Sequence, residues 1–164
     1  MLVLGLDPGS RHTGYGLIDR QGSRLSCVGH GRLSLPRDAP LPARLAQLSR
    51  ELETLVRAHA PDVAVLESLY HGINPRSLIV LAQARGALVA TLALQGLEVR
   101  EYTPAEVKTA VVGHGRADKE QVAHMVRLVL GLPRAPLPAD ASDALAVAIC
   151  YAHRLRLDRL EDRG

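Results

Sequence analysis

The sequence predicts an α/β fold with a mixed sheet, and three observations support this class. Apolar runs at residues 2–7 and 62–67 have the length and composition of buried strands. A leucine stripe with helical spacing lies between them, and parallel strands require such a helical crossover. The 164 residues suffice for one domain with a sizeable core. We therefore expect a single domain over residues 1–157, followed by a short tail over residues 158–164.

The first three predicted strands form an antiparallel meander. The apolar run at residues 2–7 is followed by segments at residues 13–19 and 24–35, and both links are short. Such short links join antiparallel strands, whereas parallel strands need longer connections.

Helices and strands alternate through the rest of the chain. Leucines recur every three or four residues from Leu41 to Leu55, and Pro61 ends this first helix. The strand at residues 62–67 is reached through that helix, so we expect it to run parallel to the first strand. The remaining predicted elements are a helix over residues 75–95, a strand over 97–102, helices near 104–112 and 118–130, and a last helix from 139 to about 157.

The charge composition permits a polyanionic partner without requiring one. The net charge is +3 and the sequence pI is about 9.2. The 20 basic residues include only two lysines, Lys108 and Lys119, which leaves 18 arginines. A chain so biased toward arginine retains lysine where a compact, flexible charge is needed, or by chance, and composition alone does not decide between the two.

Several function classes are disfavoured by what the sequence lacks. Cys27 and Cys150 lie in apolar segments without metal-ligand spacing, which indicates core thiols in a reducing compartment. No charged-then-apolar leader opens the chain, and no apolar run approaches the roughly 20 residues that span a bilayer. We expect a soluble, cytoplasmic protein without a membrane partner.

Four acids stand out by position. Asp7 and Glu67 each end an apolar strand, and ligand sites of open α/β sheets lie beyond the carboxyl ends of the strands. Asp140 and Asp143 are three residues apart at the start of the last helix, so they share one helix face. Four clustered carboxylates repel one another unless cations lie between them, and oxygen-only ligands favour Mg²⁺ or Mn²⁺ over zinc.

Each acid also has an ordinary structural interpretation. Asp7 precedes Pro8 and Gly9 in a common turn sequence, and Glu67 could be a solvent-facing strand end. Asp140 and Asp143 suit a helix N-terminus, whose free N–H groups favour negative charge. The combination of all four favours the functional interpretation.

Five segments together resemble one family. They are GLDPGSRHTGYGLI at the N-terminus, LESLY at residues 66–70, QARG at 83–86, VKTAVVGHGRADKEQVAHMV at 107–126 and ADASDALAVAI at 139–149. The chain is similar over residues 1–155 to the RuvC family of bacterial Holliday-junction resolvases. The resemblance implies an RNase H-like fold, with a five-stranded mixed sheet and helices on both faces. It also implies a homodimer that uses two Mg²⁺ ions per site, with Mn²⁺ able to substitute, and a branch-migration complex of the RuvAB type as partner.

The resemblance also implies roles for individual residues. The catalytic and metal-binding acids of the family fall on Asp7, Glu67, Asp140 and Asp143, and its functional lysines on Lys108 and Lys119. Its base-stacking aromatic falls on Tyr70, where the family pattern has phenylalanine. Arg76, Arg116 and the turn at residues 113–115 are added as contacts to the DNA backbone from their loop positions alone.

The implied activity is metal-dependent hydrolysis of phosphodiester bonds in a four-way DNA junction. Alternatives are a resolvase-like nuclease that processes ribosomal RNA, an actin-like nucleotide-binding domain, and a junction-binding module without activity. The apolar helix at residues 75–95 is expected to form the dimer contact, and the alternative is that it is sandwiched in the core.

Overall fold

The computed structural model contains the predicted elements in the predicted order. It describes residues 1–9, 12–34, 38–68, 75–133 and 135–161. The strands are β1 (Leu2–Asp7), β2 (His12–Gln21), β3 (Arg24–Ser34), β4 (Val63–Glu67) and β5 (Glu98–Tyr102). The helices are α1 (Leu41–His59), α2 (Pro75–Leu94), α3 (Pro104–Val112), α4 (Lys119–Leu130) and α5 (Ala139–Glu161). Of these, α5 continues past the predicted end near residue 157.

The strands form one five-stranded mixed sheet in the order β3-β2-β1-β4-β5. The meander β1-β2-β3 is antiparallel, whereas β4 pairs parallel with both β1 and β5. Helices α1 and α2 supply the crossovers that parallel pairing requires. The predicted parallel pairing of the first and fourth strands is confirmed.

Helices cover both faces of the sheet, so the inner strands are apolar on both sides. Leu4, Leu6 and Leu17 belong to the core beneath α1 and α2. Val3 and Ile18 belong to the second core, beneath α3, α4 and α5. The predicted thiols differ in burial, since Cys150 is buried in this second core and Cys27 is half-buried at its edge.

Three glycines set how closely α5 approaches the sheet. A Cβ atom at Gly5 would overlap the carbonyl oxygen of Ala144, and one at Gly14 would overlap the carbonyl oxygen of Asp140. A Cβ atom at Gly16 would lie 2.6 Å from Cδ2 of Leu145. The absence of these side chains lets the first turns of α5 rest directly on β1 and β2, which brings the acids of α5 to the strand ends.

Candidate active site

Two strand-end acids form the base of the site. In the parallel β1–β4 ladder Leu6 pairs with Leu66, so Asp7 and Glu67 follow as the next neighbours. Both carboxylates end their strands at the same edge of the sheet, where loops and helix termini leave room for a ligand. The register therefore places Asp7 and Glu67 side by side at the ends of neighbouring strands.

A cavity of about 190 Å³ opens above these acids. Asp7, Glu67 and Asp143 line it together with both lysines of the chain, Lys108 and Lys119. Its remaining lining is mostly apolar, from Pro104, Val107, Val122 and Ala146. The two lysines that composition singled out thus face the same space as three of the four predicted acids.

The fourth acid, Asp140, lies in the first turn of α5 but does not line this cavity. Its Oδ2 atom lies 2.8 Å from Nε of Arg32, a residue of β3 that sequence analysis did not single out. Within the ranges that the structure describes, no three acidic, histidine or cysteine side chains are spaced to hold a metal ion. A metal cage of all four acids therefore stays a prediction.

The electrostatics of the cavity disfavour a full set of negative charges. Burial, followed by the nearby charges of Asp143, Glu67 and Asp140, raises the pKa of Asp7 from 3.8 to about 7, although Lys119 opposes this. Burial, with a smaller contribution from Asp143, also raises the pKa of Glu67. Burial, and then the charges of neighbouring acids, therefore favour the protonated form of both carboxyl groups, and the lysines of the cavity offset this only in part.

This donor set fits a hard divalent cation. Carboxylate oxygens are the ligands that Mg²⁺ and Mn²⁺ prefer, and a bound cation would offset both the burial and the neighbouring negative charges that raise the pKa of Asp7. Asp7, Glu67 and Asp143 already share the cavity.

Lys119 is positioned by the start of α4. Asp118 caps this helix, because its side chain accepts a hydrogen bond from the backbone N–H of Gln121 while Gln121 accepts one from the N–H of Asp118. Lys119 is thereby the first helical residue, and its Nζ atom lies 3.2 Å from Oδ2 of Asp143. The charge of Asp143 raises the pKa of Lys119, which keeps the ammonium group protonated.

Lys108 reaches the cavity from α3, whose start is fixed in a similar way. Thr103 and Glu106 form a capping box that begins this helix. The positive charge of Lys108 lowers the pKa of Glu67, in opposition to burial.

The remaining predicted DNA contacts are only partly covered by the structure. Arg116 is exposed in the segment between α3 and α4, which begins with a left-handed residue, Gly113, at φ 96°. The backbone of Arg76 lies in the first turn of α2, and its side chain is outside the described residues. Tyr70 also lies outside the described residues, so its proposed stacking role stays a prediction.

Comparison with known proteins gives concordant results at the level of sequence. Residues 3–151 match the family model described as crossover junction endodeoxyribonuclease RuvC. The chain is 46% identical to the protein of that name from Syntrophomonas wolfei over 157 residues, which cover 96% of this chain and 91% of the relative. It is 45% identical to the one from Desulfitobacterium hafniense, again over 157 residues, with coverage of 96% and 95%.

Solved structures agree. Thermus thermophilus RuvC in complex with Holliday junction substrate superposes with a TM-score of 0.90 at 30% identity, covering 96% of each chain. The yeast mitochondrial Holliday junction resolvase Ydc2 has a TM-score of 0.72 at 16% identity and shows the fold alone. The expected RNase H-like fold is thereby confirmed.

Proposed function

The chain belongs to the RuvC family of crossover junction endodeoxyribonucleases, and on this premise we propose that it resolves four-way DNA junctions by metal-dependent hydrolysis of phosphodiester bonds. One observation supports this most directly: three carboxylates and both lysines of the chain line one cavity at the carboxyl edge of the sheet. Acids that bind divalent cations and lysines that bind phosphate are the two groups that such hydrolysis needs.

Asp7, Glu67 and Asp143 would hold Mg²⁺ in this cavity, and Asp140 would complete the set. The chemistry that Mg²⁺ supplies when bound, as two ions per site for which Mn²⁺ substitutes, is activation of the attacking water and stabilisation of the leaving oxygen. The side chains of these acids project from β1, β4 and α5. The oxygen atoms that would hold Mg²⁺ are therefore carried by rigid elements.

The lysines act on the phosphate of the substrate. The side chain of Lys119 is 83% exposed, so its ammonium group is accessible to DNA. A phosphate oxygen can therefore replace Asp143 as the partner of this ammonium group. Lys108 faces the same cavity from the neighbouring helix. Together they would offset the negative charge that the scissile phosphate brings into an acidic site.

Contacts beyond the cavity would hold the junction in place. We assign contacts with the DNA backbone to Arg116, to Arg76 and to the turn at residues 113–115. We assign stacking on a base at the crossover to Tyr70. The net charge of +3 is consistent with a DNA partner.

Helix α2 supports the proposal of a homodimer. The expectation that no apolar run approaches the length that spans a bilayer was wrong: among the described residues, the segment Ser77–Leu94 of α2 is the one helix long and apolar enough to do so by length and composition, with a mean hydropathy of 1.7. It is not sandwiched in the core, since Ile79 and Leu94 are 61% and 85% exposed. Ala82, Gly86 and Ala90 are also exposed, and such small residues permit close contact with another helix. A second copy of the chain packed on this face would provide two active sites, as a junction that needs two cuts requires.

The same proposal includes the cytoplasm as the compartment and a branch-migration complex of the RuvAB type as a partner. The family resemblance implies the partner, and both fit a role in DNA recombination and repair, which we propose for this chain.

A cleavage assay tests the function. Purified protein should cut a four-way junction in Mg²⁺, and should leave a linear duplex and a structured RNA intact. Glu67→Gln should lower the cleavage rate by at least roughly 100-fold, because loss of a ligand exceeds the loss of an outer-shell partner, while junction affinity in a gel shift stays near that of the wild type. Glu120→Gln, which neutralises an exposed acid outside the cavity, is the matched control and should cut normally.

Other results would replace the proposal. Preferential cleavage of RNA would assign the chain to the branch that processes ribosomal RNA. Tight junction binding without cleavage would indicate a binding module. A monomer in sedimentation at micromolar concentration, unchanged by Ile79→Glu, would contradict the dimer through α2.

A further inference from the structure

Arg32 projects toward the candidate site from the neighbouring strands. It pairs with Gly14 in the β2–β3 ladder, and Gly14 in turn pairs with Asp7 in the β1–β2 ladder. Directly paired residues project from the same face of a sheet. Because Gly14 has no side chain, Arg32 can extend across β2 to the first turn of α5, where its Nε atom lies 2.8 Å from Oδ2 of Asp140.

The acids of the site differ in how their charge is balanced. Both acids of α5 have a cationic partner, since Asp143 contacts Lys119 and Asp140 contacts Arg32. The two strand-end acids form no ion pair within the part of the chain that the structure describes. Arg32 is therefore the counter-ion of the one acid that stands outside the cavity.

A guanidinium group and a divalent cation compete for the same carboxylate. The Nε atom of Arg32 lies 2.8 Å from Asp140 Oδ2, so a metal ion cannot approach that oxygen from the same side, and the positive charge of Arg32 repels a nearby metal ion. The pair is exchangeable, because the two side chains are 39% and 33% exposed and ion pairs so exposed contribute little net stability. The competition should therefore shift metal affinity by a moderate factor and should not block binding.

We propose that Arg32 is a positioning residue that holds Asp140 aside in the metal-free site and releases it when a divalent ion binds, so that Arg32 sets the metal concentration at which the site loads. This inference rests on the proposed metal-dependent function. It assigns a role to a residue on an edge strand that is separate from the acids and lysines of the cavity.

Calorimetric titration of Mn²⁺ into the DNA-free protein tests the proposal. Arg32→Gln should bind Mn²⁺ about five- to tenfold more tightly than the wild type, because a competing charge near the ion is gone. Arg32→Lys keeps the charge and should stay within about twofold of the wild type. Arg50→Gln, which removes an exposed arginine from a groove that Arg32 also borders, is the matched control and should change nothing.

A second measurement separates this role from a merely structural one. In an Asp140→Asn background, Arg32→Gln should change Mn²⁺ affinity by less than half the factor seen with Asp140 intact, because the contested carboxylate is absent and only the repulsion by the Arg32 charge remains. In the Asp140-intact protein, the Mg²⁺ concentration for half-maximal junction cleavage should fall by the same factor as the Mn²⁺ dissociation constant.

The failures of the two proposals are distinguishable. If the wild type cuts junctions in Mg²⁺ but Arg32→Gln binds Mn²⁺ equally well or more weakly, the role of Arg32 is refuted and the nuclease function stands. If the wild type neither binds Mn²⁺ nor cuts a junction, the proposed function and this inference both fail.

Discussion

Replacing Asp7 by asparagine should stabilise the metal-free protein at alkaline pH, although it removes the central acid of the site. Burial and three neighbouring acids raise the pKa of Asp7 from 3.8 to about 7, so the folded protein retains a proton that the unfolded chain releases. The stability of the wild type therefore falls as the pH rises from about 4 to about 7. Asparagine cannot ionise, so the stability of the variant should not fall in this way over the same pH range.

The size of this stability difference follows from the raised pKa of Asp7. A change of roughly three pKa units at about 1.36 kcal/mol each gives roughly 4 kcal/mol as an upper value at pH 8. Salt and local relaxation reduce it, and we expect about 2 kcal/mol. For a chain of this size that corresponds to a rise of about 4–8 °C in Tm.

Urea denaturation in EDTA at pH 4, 6 and 8 measures the effect. The two proteins should have similar stability at pH 4 and diverge in favour of Asp7→Asn above pH 6. Added Mg²⁺ should stabilise the wild type more than the variant and so narrow the difference. Asp19→Asn is the control, because hydrogen bonds from Gln21 and the N-terminus lower the pKa of Asp19 and its loss should not be stabilising. A variant that is less stable than the wild type at pH 8, or a difference that does not change with pH, would refute the reasoning.

Three further predictions concern the catalytic charge, the packing of α5 and the DNA contact. Lys119→Arg keeps the charge but replaces a compact ammonium group by a planar guanidinium group, so it should lose most of the cleavage rate. Arg116→Lys should mainly weaken DNA binding in gel shifts, and equal, small effects of the two substitutions would contradict this prediction. Gly14→Ala places a methyl group against the carbonyl oxygen of Asp140 and should lower stability by about 1–3 kcal/mol in urea denaturation, and a neutral result would show that α5 can shift freely. Tyr70→Ala should slow cutting of an intact junction but less so one with unpaired bases at the crossover, while Tyr70→Phe should cut normally, since stacking on a base contributes about 1–3 kcal/mol; a lowered Tm with equal slowing of both substrates would indicate packing instead.

Local patterns were sufficient to predict the secondary structure. The leucine stripe that predicted α1 includes Leu48 and Leu52, which are fully buried. The apolar runs that end on Asp7 and Glu67 became neighbouring parallel strands, because a helical crossover leaves few other arrangements. The placement of Lys108 and Lys119 beside these acids was implied by the family resemblance and was not derivable from spacing.

The exposed face of α2 shows where local pattern stops being informative. Its sequence is apolar on most sides, so periodicity could not distinguish a helix enclosed by the core from one with a free apolar surface. In the tertiary structure α2 packs beside α1 on one face of the sheet, and Ile79 and Leu94 are exposed.

The sequence by itself thus determined the order of elements, the strand ends that carry Asp7 and Glu67, and the family. Only the tertiary structure decided that Arg32 faces Asp140. The β2–β3 register shifts between Leu17 and Ile18, which pair with Gly29 and Cys27 and leave Val28 out of the ladder. Without that bulge Arg32 would pair with Thr13 instead of Gly14 and project from the opposite face, since a slip of one residue reverses every side chain of a strand.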